Sequence, residues 1–366
     1  MRILKIHLTN FRNFRDESLE FGPKRNLLLG ANAQGKTNVL EAIHLLGVGR
    51  SHRERKDANL LSFGETYYRV EGVFEDIGVR TTIEVAYSEE RKRIRINAKE
   101  SRPADLIGLV GVVVSSPEDI ELVKGGPGYR RQFLDIAISQ ISKGYLAALQ
   151  KYVRALAQKN RLLKAVQAGR APVSDTAVWD RAMVTNGAVI VDGRLKFLED
   201  IRKEVQANFG EISGTKTEIG LTYEARGYRA GDGDTGELLA AAVSDQRDIE
   251  VARGYSLVGP HVDDFRMLAG ERDIRRFGSE GEQRTGVVAL RCAEVTVMKA
   301  TTDRYPIVLL DDVFAELDDA RTAALTALIS DYDQIVLTSS RPAPEKVSDL
   351  WTISIADGRA EVGGAA

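Results

Sequence analysis

Along residues 2–8 the apolar positions Ile3, Leu4, Ile6 and Leu8 are interleaved with polar ones, and the alternation predicts an opening strand. Arg25–Leu29 is a second, shorter strand with an apolar end. Val39, Leu40, Ile43 and Leu46 then recur at helical spacing and predict a helix. Residues 67–74 and 79–87 read as an antiparallel pair, and Arg91–Ile96 as an alternating strand with one basic side. From Gly128 the period changes, and residues 130–142, 144–167 and 176–206 carry apolar positions at helical intervals. Gly169-Arg170-Ala171-Pro172 breaks the second of these from the third. Residues 216–224 alternate as a strand, 227–236 form a Gly- and Asp-rich loop, and 237–253 are helical again. Near the other end, Ile307–Leu310 is an unbroken apolar run, the pattern of a strand buried on both faces. Residues 334–339 predict another strand, and the Gly-Ala end at 363–366 reads as irregular.

The chemistry sits where these elements end. Gly30-Ala31-Asn32-Ala33-Gln34-Gly35-Lys36-Thr37 lies between the strand at 25–29 and the helix that begins with Asn38 and Val39. This is a phosphate-binding P-loop in its required strand–loop–helix context. Its glycines let the backbone approach a phosphate, its N–H groups face the anion, and Lys36 adds a full charge. Thr37 offers a hydroxyl to Mg²⁺. The run at 307–310 ends in Asp311 and Asp312. Asp311 is placed to hold Mg²⁺ and Asp312 to orient or deprotonate an attacking water. These residues predict an ATP site with Mg²⁺.

Gly278-Ser279-Glu280-Gly281-Glu282-Gln283 precedes a helical run at 285–299 and resembles the signature sequence of the ABC-type ATPases. In that family the signature serine crosses a dimer to the γ-phosphate held by the partner's P-loop. The same residues could equally cap a helix, with a glutamate in its first turn. Glu280 and Glu282 depart from the family pattern, since carboxylates near a triphosphate are repulsive. Asp318 stands at the spacing of the family's D-loop, and Thr338 where most transporters of the family have a histidine. Asn10-Phe11-Arg12-Asn13-Phe14 after the opening strand looks like the heads of SMC-type ATPases. That likeness implies that Arg12 lies beside the nucleotide and that Asn32 contacts the γ-phosphate side.

Three further segments narrow the resemblance. They are Gly47-Val48-Gly49-Arg50-Ser51-His52-Arg53, Pro117-Glu118-Asp119 with Arg130-Arg131-Gln132-Phe133-Leu134-Asp135, and Gly259-Pro260-His261-Val262-Asp263-Asp264. Across essentially the whole chain they are similar to the RecF family of bacterial recombination mediators, although Val262 stands where many members have arginine. The resemblance implies a cytosolic, ATP-dependent DNA-binding dimer with slow hydrolysis. It also implies work with RecR and RecO to load RecA at single-stranded gaps in repair, replication restart and SOS induction.

Composition bounds the alternatives. With 366 residues and 43% hydrophobic content the chain is long enough for two domains with sizeable cores. The one cysteine, Cys292, lies in an apolar helical stretch and suits a reducing cytosol. No apolar run is long enough to span a membrane. At a net charge of −2, DNA must be attracted by a local patch. Lys124, Arg130, Arg131, Lys143, Lys151, Arg154, Lys159, Arg161 and Lys164 fall in one stretch, with Tyr145 and Tyr152 interleaved. Arg50 and Arg53 form another candidate. The absence of a recognition helix favours backbone readout.

The expected architecture is α/β: an ABC/SMC-type P-loop ATPase head, residues 1–120 and 245–366, with a mainly helical lobe inserted at 121–244. Two other readings share the P-loop. An ABC-type ATPase that never touches DNA would usually carry a histidine at 338. An ATP-gated nuclease would need a further metal-binding domain, for which too little chain follows Asp312.

Overall fold

The computed structural model of the protein describes residues 1–341 and 350–365. The chain begins with β1 (Arg2–Phe11), β2 (Phe14–Glu20), β3 (Arg25–Leu29), α1 (Lys36–Val48), β4 (Tyr67–Asp76), β5 (Val79–Ser88), β6 (Arg91–Ile96), β7 (Lys99–Ser101), α2 (Pro103–Leu106) and β8 (Val112–Ser115). It continues through α3 (Glu121–Lys124), α4 (Pro127–Ile141), α5 (Lys143–Gln167), α6 (Ala177–Ser213), β9 (Ile219–Glu224), α7 (Thr235–Asp245), α8 (Arg247–Arg253), β10 (Asp264–Ala269), β11 (Arg272–Asp273) and α9 (Ile274–Phe277). The last elements are α10 (Glu280–Thr302), β12 (Ile307–Leu310), α11 (Asp319–Leu328), β13 (Ile335–Ser339), β14 (Leu350–Ala356) and β15 (Arg359–Ala365).

Two compact units share these elements. The first comprises Met1–Asp119, Ala207–Thr215 and Val288–Ala366, and the second Ile120–Gln206 and Lys216–Val287. The return to the first unit thus falls at Val288, where the sequence pattern put it at 245, and the segment Gly278–Gln283 belongs to the second unit.

In the first unit an antiparallel sheet runs β2-β1-β4-β5-β6-β7, and a second sheet runs β15-β14-β3-β13-β12-β8. In the second sheet β14, β3, β13, β12 and β8 are parallel. Helix α1 joins both sheets into one core. Val39, Leu40, Ile43 and Leu46 cluster with Ile6, Leu8, Val70 and Phe74 of the antiparallel sheet and with Leu28, Leu309, Val336 and Ile353 of the other. The helix is therefore buried nearly all round rather than along one stripe. The buried side chain of Gln334 bonds Ile3 N–H and C=O and the Gly22 carbonyl, tying the entry of β13 to β1. The Gly-Ala end is not irregular as far as it is described: Arg359–Ala365 pairs with β14 as a hairpin, and Ala366 lies outside the described residues.

The second unit is mainly helical, with a small sheet β11-β10-β9. Phe133, Phe197 and Phe265 meet as tilted rings in its interior. Tyr145 and Tyr152, expected between exposed basic residues, are buried in the same unit and hold polar partners, Asp135 at 2.5 Å and His261 at 2.7 Å. Among the described residues no helix is long and apolar enough to cross a membrane.

Candidate functional site

The order β3-β13-β12 decides the site. Parallel strands bring their C-terminal ends to one edge, so the P-loop after β3, Thr338 on β13 and Asp311 after β12 arrive side by side. Thr37 Oγ1 donates to Asp311 Oδ1 at 3.0 Å, and Thr338 Oγ1 donates to the same oxygen at 2.7 Å. The Thr338 hydroxyl also accepts the Asp312 N–H at 2.9 Å. Thr338, where most transporters of the family have a histidine, is thus the clasp between the two carboxylate residues. Asp312 adopts a left-handed conformation, φ 46, and keeps its side chain partly exposed. Burial raises the Asp311 carboxyl above its usual range, while the two threonine bonds work against that shift.

The loop itself is shaped for an anion. Gly35 has φ 115, and a Cβ there would lie 2.6 Å from the Asn13 amide. A Cβ on Gly30 would lie 2.2 Å from the Ile355 carbonyl oxygen. No side chain caps α1 at Gly35, so its first N–H groups remain for a ligand. Lys36 is buried and its ammonium bonds the carbonyls of Gly30 and Ala31 at 2.7 and 3.0 Å. Ala31, Asn32 and Ala33 form the exposed rim. Asn13 donates to the Gln34 carbonyl and accepts from Asn38, each at 2.8 Å, and the Gln34 side chain accepts the Asp357 N–H at 2.5 Å. The tip of the C-terminal hairpin therefore braces the P-loop, a contact 323 residues apart in sequence.

Arg12 sits next to this brace. Its guanidinium meets Glu41 through Nε and Nη2, both at 2.8 Å, and donates from Nη1 to the Asn59 carbonyl at 2.9 Å. Glu41 carries no signal in the sequence beyond a polar position in an apolar helix. The loop after β8 is braced by Asp119, which accepts Ser116 N–H and two arms of half-buried Arg291.

The signature segment begins α10 in the second unit. Ser279 N–H and Oγ both donate to Glu282 Oε2, at 2.7 and 2.9 Å, and Glu282 N–H returns to Ser279 Oγ at 3.2 Å. This is a capping box, the alternative that the residues left open. It keeps the serine at a helix N-terminus. Glu280 pairs with Arg284 and faces Lys124, contacts that hold its carboxyl below the usual range. Gln283 is buried and donates to the carbonyls of Ile274, Arg275 and Gly278. Asp318 caps α11 by accepting Arg321 N–H.

The basic candidates divide sharply. Arg130, expected at a DNA surface, is buried. It forms a bidentate pair with Asp264 at 2.7 and 2.8 Å and also bonds the carbonyls of Leu122 and Gly125. A fork that is itself buried and whose hydrogen bonds are all internal is a structural tie. Arg131 is half-buried and donates to the Asp263 carbonyl. Lys159 is buried between Asp180 and Glu250, at 2.7 and 2.6 Å. Lys151, Arg154, Arg50 and Arg53 are exposed. Arg53 faces Glu118 at 3.7 Å. Helix α5 holds no Asp or Glu, and its exposed Lys143, Lys151, Arg154, Arg161 and Lys164 recur at spacings that keep them on one side.

A P-loop and a carboxylate strand flanking β13, beneath an antiparallel sheet on a shared core, define an ABC/SMC-type ATPase head. The family model described as the RecF/RecN/SMC N terminal domain matches residues 2–359. Two relatives, each a DNA replication and repair protein RecF, align with 93% of this chain and 92% of their own length. They come from Pediococcus pentosaceus, 37% identical, and Heliobacterium modesticaldum, 38% identical. The solved recombination mediator protein RecF-ATP of the RecFOR pathway superposes with a TM-score of 0.91 at 30% identity, over 99% of this chain and 97% of that one. An Smc head bound to the C-winged helix domain of ScpA shares the fold, with a TM-score of 0.57 at 16% identity, over 99% of this chain and 97% of that one. The chain belongs to the RecF family and is an ABC-type ATPase.

Proposed function

We propose that the chain is a DNA-binding recombination mediator in which ATP closes two copies on DNA. The observation that carries this reading is the Thr37–Asp311–Thr338 cluster beside an uncapped P-loop helix, in a chain of the RecF family. Thr37 and Asp311 present hard oxygen donors 3.0 Å apart, which fits Mg²⁺. Thr37 and Asp311 would hold the ion, which would supply neutralising positive charge to a bound triphosphate. Lys36 and the loop N–H groups bind the triphosphate, with Asn32 and Asn38 at its rim. Asp312 orients the attacking water. Its short side chain, on a backbone bridged to Thr338, suits a slow switch rather than rapid turnover.

Ser279 of a second copy completes the γ-phosphate site in trans, because a serine at a helix N-terminus offers an anion both a hydroxyl and a positive dipole end. Asp318 lies along the same seam. The exposed cations of α5 and Arg50 and Arg53 contact the DNA backbone. Hydrolysis removes the phosphate that both copies hold, and the dimer opens. The resemblance extends this reading to a cytoplasmic protein acting with RecR and RecO before RecA loading. Fluorescence anisotropy of labelled duplex DNA tests it: binding should tighten with ATP in wild type but not in Lys36→Ala, and equal binding in both would contradict it.

A further inference from the structure

We infer that Glu41 is a positioning residue for nucleotide binding, aiming Arg12 at the ligand while fixing the turn that carries Arg53. The inference rests on the triphosphate reading of the P-loop. Glu41 lies one turn into the P-loop helix and is fully buried, a costly place for a carboxylate without partners. Its two oxygens are both used. They take the Nε and Nη2 arms of Arg12, each at 2.8 Å, and Oε1 also accepts the Ser51 hydroxyl. Ser51 Oγ in turn accepts the N–H groups of Arg53 and Glu54, at 3.0 and 2.9 Å. One side chain thus holds an arginine on one side and a basic turn on the other.

The arginine it holds is set beside the phosphate loop. Its neighbour Asn13 bonds the Gln34 carbonyl and leaves no room for a Cβ on Gly35. Arg12 itself has φ 57, so its backbone is not in a conformation the residue prefers. A guanidinium has five N–H groups, and three of Arg12's are engaged by Glu41 and Asn59. The rest, on Nη1 and Nη2, belong to a side chain that is 18% exposed, and Glu54 faces Nη2 at 3.9 Å, beyond hydrogen-bond reach. A fork held by some of its donors and open at others is pre-organised for an anion, and the holding carboxylate sets its direction.

The test is a double-mutant cycle on ATP affinity, read by competition against a fluorescent ATP analogue in Arg12→Ala, Glu41→Gln and the double variant. Each single change should weaken ATP by about tenfold, and the double should be no weaker than Arg12→Ala. In turnover Glu41→Gln should raise KM with little change in kcat, the mark of lost ground-state binding. Unchanged affinity in Glu41→Gln, or effects that multiply in the double, would overturn the inference. Should Glu41→Gln unfold, Arg12→Lys decides. It keeps the charge but cannot form the fork, so wild-type affinity there would also overturn it. A wild-type protein that binds ATP no better than Lys36→Ala would instead fail the triphosphate reading.

Discussion

The Thr338 hydroxyl donates to Asp311 Oδ1 at 2.7 Å, across 27 residues of sequence. It accepts the Asp312 N–H as well, so one oxygen sets both the Asp311 carboxylate and the backbone of its neighbour. Thr338→Val keeps the shape and removes both bonds. It should lower ATPase kcat by about 10- to 100-fold, since a polar group left unpaired in a buried site costs ~1–3 kcal/mol. Thr338→Ser should stay near wild type. Steady-state ATPase rates for the two variants check this, and equal rates would contradict it.

The division among the arginines predicts opposite phenotypes. Lys151→Glu with Arg154→Glu should weaken duplex binding and flatten its salt dependence, the slope falling by about 0.9 for each phosphate no longer neutralised, at an unchanged melting temperature. Arg130→Ala should instead lower the melting temperature, because it strands the Asp264 carboxylate and two carbonyls. Salt titrations and thermal melts of both variants separate the roles.

The C-terminal hairpin matters for the nucleotide. Gly358 has φ 70, and a Cβ there would sit 2.3 Å from the Asn13 carbonyl oxygen. Gly358→Val should push the hairpin off Gln34 and Asn13 and weaken ATP binding several-fold. Competition against a fluorescent ATP analogue reads this directly. Wild-type affinity would mean that the P-loop holds its shape unaided.

Two half-buried histidines with desolvated rings give the stability a pH slope. Burial, above all, lowers His52 to about 3 and His261 to about 4, from 6.5. Between pH 6.5 and about 4 the unfolded chain therefore binds protons that the folded chain excludes. Stability should fall with falling pH in that window, by ~1.4 kcal/mol per pH unit for each such group. His261→Gln removes one contributor. Urea unfolding at pH 7 and pH 5 should show a smaller loss on acidification in the variant than in wild type.

The legible parts of the sequence are local ones. The P-loop announces itself because strand, glycines, Lys36 and Thr37 are contiguous, and Asp311 because an apolar run ends in it. Arg130 misleads because its partner Asp264 is 134 residues away, and no local pattern distinguishes a cation at a surface from one in a buried pair. Thr338 looks like a missing histidine until the strand order puts it between the P-loop and Asp311. The hairpin that braces Gln34 is hidden by the Gly-Ala composition of its second strand. Glu41 is hidden because a polar residue in an apolar stretch of helix carries no information about what faces it.

Closure of two copies through Ser279 is the central claim, and molar mass by light scattering tests it most directly. Wild type and Ser279→Arg would be measured with duplex DNA, with and without ATP. A dimer that forms on DNA only with ATP, and only when Ser279 is intact, is the predicted result. A monomer indifferent to ATP, or a dimer that forms equally well in Ser279→Arg, would contradict the account.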